Sequence, residues 1–473
     1  MTKNINRRNF LKTLGVGAAA AGASTLVGCK PSKPLEFDPS GHHTDPVPVD
    51  KMTYRTHNVS GDKVSILGYG CMRWPMIPNP NGSGQIIDQE QVNRLVDYAL
   101  EHGINYFDTS PVYCQGLSEA ATGIALSRHP RESYFIATKL SNQNIAQRPN
   151  ISDEEVYRQS VEMYHKSFEG LRTDYIDYYL LHSIGNGQDA IWTLNKRYFN
   201  HGLIDFLVEE KKRGKIRNLG WSWHGDITVF DYMLKLHDEG KYHWDFVQIQ
   251  MNYLDWRHAT GRNTNAEYLY EELQKRGIQC VIMEPLLGGR LSDLPYHVIG
   301  RLKQRRPEDS AASWAFRWVG SYPMVLCVLS GMTYMEHLQD NIRSYSPLEP
   351  VTDEYKVFLE ETADLIMKYP LINCNNCEYC MPCPYGIDIP GILLHYNKCV
   401  NEGNLPSSQG DPEYRKMRQA FLVGYDRRVP KLRQADHCIG CSQCVPLCPQ
   451  SIQIPDEMQR INDFVEHLKQ DTL

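Results

Sequence analysis

Between about residues 62 and 345 the chain repeats one pattern eight times: a short apolar, β-branched or aromatic run, then a stretch of helical periodicity. Beyond it, eight of the 14 cysteines lie in two close-set runs, Cys374 to Cys383 and Cys438 to Cys448. These observations predict an α/β protein, a closed (β/α)8 TIM barrel followed by a small α-rich domain built around the cysteines. A doubly wound sheet is the alternative, but no Gly-x-Gly-x-x-Gly turn follows any of the runs. The composition, 41% hydrophobic and 22% charged, is that of a soluble globular chain. With 50 Lys+Arg against 56 Asp+Glu there is no overall basic field to hold phosphates, which argues against nucleic acid as a partner.

The first element is an address. Arg7 and Arg8 precede Phe10, Leu11 and Lys12, and Thr13 to Cys29 follow without a charge and rich in Ala and Gly. Residues 1–29 therefore read as a signal peptide, and the arginine pair resembles a twin-arginine export signal. Leu26-Val-Gly-Cys29 resembles a bacterial lipobox, which implies a lipid on Cys29 and a membrane-anchored periplasmic protein. Residues 30–51, with five prolines and no apolar periodicity, are a tether.

The barrel is expected over 52–349. Its strands are read at 65–69, 104–108, 134–139, 175–181, 216–220, 246–250, 279–283 and 325–328. Helix 88–102 places Val92, Leu95, Val96, Ala99 and Leu100 on one face, with Asp88 and Gln91 as a capping box and Gly103 as its end. Helix 152–168 repeats the device with Ser152 and Glu155, ending at Gly170.

Barrel chemistry gathers at the C-terminal ends of strands. There the sequence places Asp108, then Tyr113 five residues on, Lys139 and His182. A lysine ammonium beside a tyrosine favours the phenolate, a carboxylate holds the lysine charged, and a neutral histidine can donate to a substrate carbonyl. Together they make a general acid for carbonyl reduction, with Tyr113 as the donor.

This set resembles the signature of the aldo-keto reductase family. The resemblance is carried by Asp108-Thr-Ser-Pro-Val-Tyr113, Ala137-Thr-Lys139, Leu181-His182, Gly220-Trp-Ser222, Val247-Gln248 and Ser330-Gly-Met332 with Asn341. It implies a nicotinamide cofactor, NAD or NADP, across the strand ends. Asp108, Ser222 and Gln248 would meet its nicotinamide and ribose; Ser330, Gly331, Met332, His337 and Asn341 would meet its pyrophosphate and adenosine. The stretch Leu329 to His337 has no Lys or Arg for a 2′-phosphate, and Met283 stands where the family often stacks a tyrosine.

The tail, expected over 350–473 behind a helix at 351–368, carries Cys374-x2-Cys377-x2-Cys380-x2-Cys383-Pro384 and Cys438-x2-Cys441-x2-Cys444-x3-Cys448-Pro449. Four thiolates suit zinc as well as iron, but the threefold x2 repeat and the Cys-Pro endings favour iron-sulfur. The runs resemble two-cluster ferredoxins. That implies two [4Fe-4S] clusters ligated crosswise, one by Cys374, Cys377, Cys380 and Cys448, the other by Cys438, Cys441, Cys444 and Cys383. The whole resembles the ferredoxin-type aldo-keto reductases of bacteria. The expected function is an exported oxidoreductase acting on a small-molecule carbonyl or sugar-like substrate, exchanging electrons with a redox partner protein. A barrel enzyme with structural clusters and a non-enzymatic electron-transfer or sensing subunit are the alternatives.

Overall fold

The computed structural model describes residues 45–187 and 189–473, together with Gly41. The arginine pair, the lipobox and most of the tether lie outside the described residues. Among those described, no helix is long and apolar enough to cross a membrane.

Eight parallel strands close a barrel: β1 (Leu67–Gly70), β2 (Tyr106–Asp108), β3 (Phe135–Leu140), β4 (Ile176–Ile184), β5 (Ile216–Trp223), β6 (Phe246–Gln250), β7 (Gln279–Met283) and β8 (Val325–Ser330). They pair in chain order, and β8 returns to β1 through Val328 opposite Leu67. Each expected strand is present. β4 and β5 run three residues further than their apolar runs, so His182 and Ser222 lie inside strands. The barrel interior is filled by Tyr106, Ala137, Tyr178, Phe246, Val281 and Cys327, a packed core without a channel.

At the strand starts a buried ionic group ties the barrel shut. Asp177 takes Arg131 at 2.6 Å and Arg217 at 2.9 Å, and Arg217 reaches on to Asp62 at 2.9 Å. This end is structural. The opposite end carries the candidate chemistry.

The helices start as the caps predict and differ in detail. Asp88 accepts from the Gln91 backbone N–H at 3.0 Å and Ser152 from that of Glu155 at 3.1 Å. The reciprocal half of neither box forms. Gln91 is drawn off by Arg94, and the Glu155 carboxylate by Arg158. The second helix spans Asp153–Leu171, so Gly170 is inside it, and Arg172 in the left-handed region makes the cap. A Cβ on Gly123 would fall 2.2 Å from the Gly170 carbonyl oxygen, so two helices cross there at backbone contact. The crossing at this point requires the glycine at 123, not the one at 170, whose own Cβ would stand 3.4 Å from its nearest neighbour.

Helix Asp353–Ile366, expected with the tail, buries Phe358, Leu359, Ala363 and Ile366 in the barrel's core. The second core begins at Ile372 and joins helices Ile389–Asn401, Tyr414–Arg428 and Ile454–Gln470. The second core thus begins after helix Asp353–Ile366, where the composition also changes.

Candidate active site and cluster loops

Asp108 ends β2, and its side chain is buried with that of Lys139 from β3. The Lys139 ammonium lies 2.5 Å from Asp108 Oδ1 and 2.8 Å from the Thr109 carbonyl, while Gln248 Nε2 donates to Asp108 Oδ2 at 3.3 Å. Burial pushes the Asp108 carboxyl up, and the ammonium pulls it back. Tyr113 opens the turn after β2. Its ring centre stands 4.9 Å from Lys139 Nζ and 6.0 Å from the His182 ring centre. The next two residues, Cys114 and Gln115, both hold positive φ, 49° and 56°. For residues with a Cβ this costs roughly 1–2 kcal/mol each.

The four expected catalytic side chains are therefore together. One electrostatic expectation does not hold. The ammonium lies over the Tyr113 ring, and burial, followed by the Asp108 charge, pushes the hydroxyl's pKa well above 10. Lys139 spends its charge on Asp108, so Tyr113 stays protonated through the neutral range. His182 meets its expectation. Burial, then Lys139 and Arg197, hold its pKa well below 6.5, so the imidazole is neutral.

Residues outside the tetrad set the imidazole's direction. Ser141 Oγ is 2.5 Å from His182 Nδ1 and 2.8 Å from Ser110 Oγ. The β4–β5 register shifts between Leu181 and Ile184, a bulge with Ser183 at φ 48°. The Ser183 N–H donates to Ser222 Oγ at 2.7 Å, and buried Arg197 donates to the carbonyls of His182 at 2.5 Å and Ser183 at 3.0 Å. Arg197 sits on a single π-helical turn, Asn195–Phe199. Ser110 was within the quoted motif; Arg197 gave no sequence signal.

The expected cofactor contacts divide into two ends. Ser222 and Gln248 are buried beside the tetrad and bonded to Ser183 and Asp108. Ser330 ends β8 and accepts from Asn341 Nδ2 at 3.0 Å; the Met332 carbonyl accepts from Tyr69 at 2.5 Å; Gly331 and His337 face solvent. Asp108, Ser222 and Gln248 thus stand apart from Ser330, Gly331 and Asn341 along the strand ends, an arrangement that fits a dinucleotide. The missing cation is partly supplied from elsewhere. Arg73 packs on Gly331, 3.1 Å from where its Cβ would be, but its Nη2 donates to the carbonyls of Asn375 and Asn376.

Those carbonyls belong to the first cysteine run. The eight cysteines form two groups by electrostatic proximity. Cys374, Cys377 and Cys380 feel Cys448; Cys444 feels Cys438, Cys441 and Cys383. Cys380 also feels Cys444, so the two groups adjoin. The backbone of both loops repeats as well. Asn376 and Glu378 have φ of 55° and 62°, and their counterparts Gly440 and Ser442 have 72° and 59°. Alternating left-handed residues turn successive N–H groups toward one centre, a cradle for an anionic group. Four thiolates inside such a cradle fit a [4Fe-4S] cluster in each loop, which would supply one-electron exchange. Among the described residues, no three His, Cys, Asp or Glu side chains stand close enough for a single metal ion.

The first loop is fastened to the strand ends. Asn375 Nδ2 donates to Glu284 Oε1 at 3.0 Å and Asn373 Nδ2 to Thr260 Oγ1 at 2.9 Å; the second run is held by Asn263 Nδ2, which donates to Gln450 Oε1 at 3.3 Å. Glu284 follows β7 at φ 56°, and burial pushes its carboxyl up to about 7. Tyr379, between two cysteines of the loop, lies within electrostatic reach of Tyr113 and Asp108.

Comparison with known proteins agrees with this geometry. The aldo/keto reductase family model matches residues 67–356, a 4Fe-4S dicluster domain model matches 373–454, and a twin-arginine translocation signal model matches 4–24. Protein tas of Escherichia coli (strain K12) is 26% identical over 336 residues, covering 62% of this chain and 93% of its own. L-galactose dehydrogenase of Arabidopsis thaliana is 29% identical over 333 residues, 67% of this chain and 95% of its own. An aldo-keto reductase from Bacillus halodurans in its holo form superposes with a TM-score of 0.50 at 25% identity, over 66% of this chain and 96% of that one. A family model spanning more than half of the chain, over a closed eight-stranded barrel, makes this protein an oxidoreductase of the aldo/keto reductase family, with a 4Fe-4S dicluster domain behind a twin-arginine export signal.

Proposed function

We propose that the exported enzyme interconverts a carbonyl and an alcohol on a small aldehyde, ketone or sugar-like substrate, with Tyr113 giving the proton to the carbonyl oxygen. The observation that carries the reading is the Asp108–Lys139 ion pair beneath the Tyr113 ring, with His182 alongside. A neutral imidazole whose Nδ1 is taken up by Ser141 has Nε2–H free to donate to the same oxygen. Tyr113, kept protonated by burial, is charged with its proton whenever substrate arrives. A sugar-like substrate is favoured by the likeness to L-galactose dehydrogenase.

Ser222, Gln248, Ser330, Gly331, Met332 and Asn341 would hold NAD(P), which when bound supplies or accepts the hydride. The lack of Lys or Arg in Leu329 to His337 favours NAD over NADP. The eight cysteines would hold two [4Fe-4S] clusters by the crosswise pairing. The cluster loop's bonds to the strand ends, and Tyr379 beside the tetrad, favour clusters coupled to the barrel's redox chemistry over purely structural ones. The hydride would bring both electrons and Tyr113 the proton, while each cluster would pass single electrons, so a one-electron redox partner protein would serve the outer cluster. A lipid on Cys29 would keep the protein at the membrane.

Tyr113→Phe tests the assignment. Turnover of the carbonyl substrate should drop on the order of 10²-fold or more while iron content stays constant. Unchanged turnover would leave the barrel as a scaffold for electron transfer. For the anchor, Cys29→Ser should move the protein from membrane to soluble fractions, and continued sedimentation with membranes would remove the lipid.

A further inference from the structure

Arg290 follows β7 by seven residues, and its guanidinium is enclosed where barrel and cluster loop meet. Two residues before it, Gly288 lies under the loop so closely that a Cβ would stand 2.0 Å from the Asn375 carbonyl oxygen. Asn375 is next to Cys374, and its side chain is bonded to Glu284 on the same barrel loop. This contact brings Arg290 within electrostatic reach of Cys374. Its Nε is buried without a hydrogen-bond partner. A guanidinium does not give up its proton in a protein, so the site holds a permanent charge.

The neighbouring charges do not cancel it cleanly. Glu284 donates nothing and accepts from Asn375, and its carboxyl is pushed toward the neutral form. Burial pushes the Asp255 carboxyl up as well, and it accepts from Gln250 at 2.6 Å and Asn252 at 2.7 Å. Arg73, the second cation near Cys374, donates to the neutral Asn375 and Asn376 carbonyls and keeps its charge. In the other group Cys444 feels Cys438, Cys441 and Cys383, and Cys441 is exposed.

We propose that Arg290 is an electrostatic tuning residue for the cluster ligated by Cys374, Cys377, Cys380 and Cys448, raising its reduction potential and so making the centre nearest the tetrad able to take an electron despite its burial. The proposal rests on the crosswise ligation described above. Adding one electron to a cluster with four thiolates adds one negative charge inside a low-dielectric site. Burial opposes that charge, and a guanidinium at the thiolate favours it. The transfer is one electron: the outer centre is oxidised as the inner one is reduced, and no bond forms or breaks. Cluster potentials respond to net charge, to hydrogen bonds at sulfur and to exposure. Arg290 supplies the first of these from the barrel side, so the enzyme domain itself sets the potential of the centre it uses.

The test is a redox titration of the anaerobically purified full chain, followed by paramagnetic resonance, with iron analysis alongside. Arg290→Gln should lower the midpoint of one cluster by about tenfold in its oxidised/reduced ratio, about 59 mV for one electron. The other cluster should not move. Arg290→Lys, which keeps the charge, should recover most of the shift. Two clusters with unmoved midpoints in the Gln variant would overturn the role of Arg290 alone. Equal shifts in the Gln and Lys variants, or iron lost from both, would show packing and not charge, and would also overturn it. Fewer than about eight irons per wild-type chain would overturn the two-cluster ligation beneath it.

Discussion

Ser141 Oγ lies 2.5 Å from Nδ1 of His182, across a gap of 41 residues in sequence. That contact occupies Nδ1 and leaves Nε2 as the ring nitrogen for substrate; with the serine hydroxyl as donor, the proton would sit on Nε2. Ser141→Ala should therefore lower turnover on the order of tenfold while leaving fold and iron content unchanged. Steady-state rates with the carbonyl substrate measure this, and a variant as fast as wild type would separate His182 from the reaction.

His182 also makes a pH prediction. Its folded pKa lies well below 6.5 because the ring is buried near Lys139 and Arg197, whereas in the unfolded chain it titrates near 6.5. Below that pH the unfolded state binds one more proton than the folded state. Stability therefore falls as pH drops, by about 1.4 kcal/mol per pH unit for this residue. Urea unfolding at pH 7 and pH 5 should show a larger loss for wild type than for His182→Asn. Equal losses would mean that the imidazole takes up its proton in the folded state.

The Asp108–Lys139 pair is buried on both sides, so cutting one partner strands the other. Lys139→Met should cost about 3 kcal/mol of stability and remove most turnover. A shift of the denaturation midpoint below a few tenths of a molar urea would show that Asp108 simply protonates at no cost.

Where Gly123 meets Gly170, a methyl group has no room. Gly123→Ala should destabilise by about 1–3 kcal/mol with no effect on the site's chemistry. Thermal unfolding is the check. An unchanged midpoint would show that the two helices separate easily.

Crosswise ligation makes a prediction that local ligation does not. Cys383→Ala should damage the cluster of Cys438, Cys441 and Cys444, more than 50 residues away, and spare the one held by its neighbours in sequence. About four irons should remain, with one resonance signal. Loss of the signal nearest the tetrad, the one sensitive to Arg290→Gln, would reverse the pairing.

The strand ends were legible in the sequence because Asp108, Lys139 and His182 each interrupt or close an apolar run, and a period-two strand cannot absorb such residues without a reason. The cysteine loops were legible because three ligands to each centre lie close in sequence. Helix boundaries were less so: Gly170 has the chemistry of a terminator, yet it lies inside the helix Asp153–Leu171, its backbone against Gly123.

Sequence alone determined the alternation that closes the barrel, the four polar residues at its mouth and the two cysteine runs, since all of these depend on local spacing. Only the tertiary structure decided how they act on one another. The ammonium of Lys139 lies over the Tyr113 ring and not at its hydroxyl, so burial and not the cation governs that tyrosine. Arg197 locks the His182 bulge, and Asn375 reaches Glu284 across 91 positions. A buried charge takes its meaning from whichever groups the fold brings within a few ångströms, and spacing along the chain carries no record of that distance.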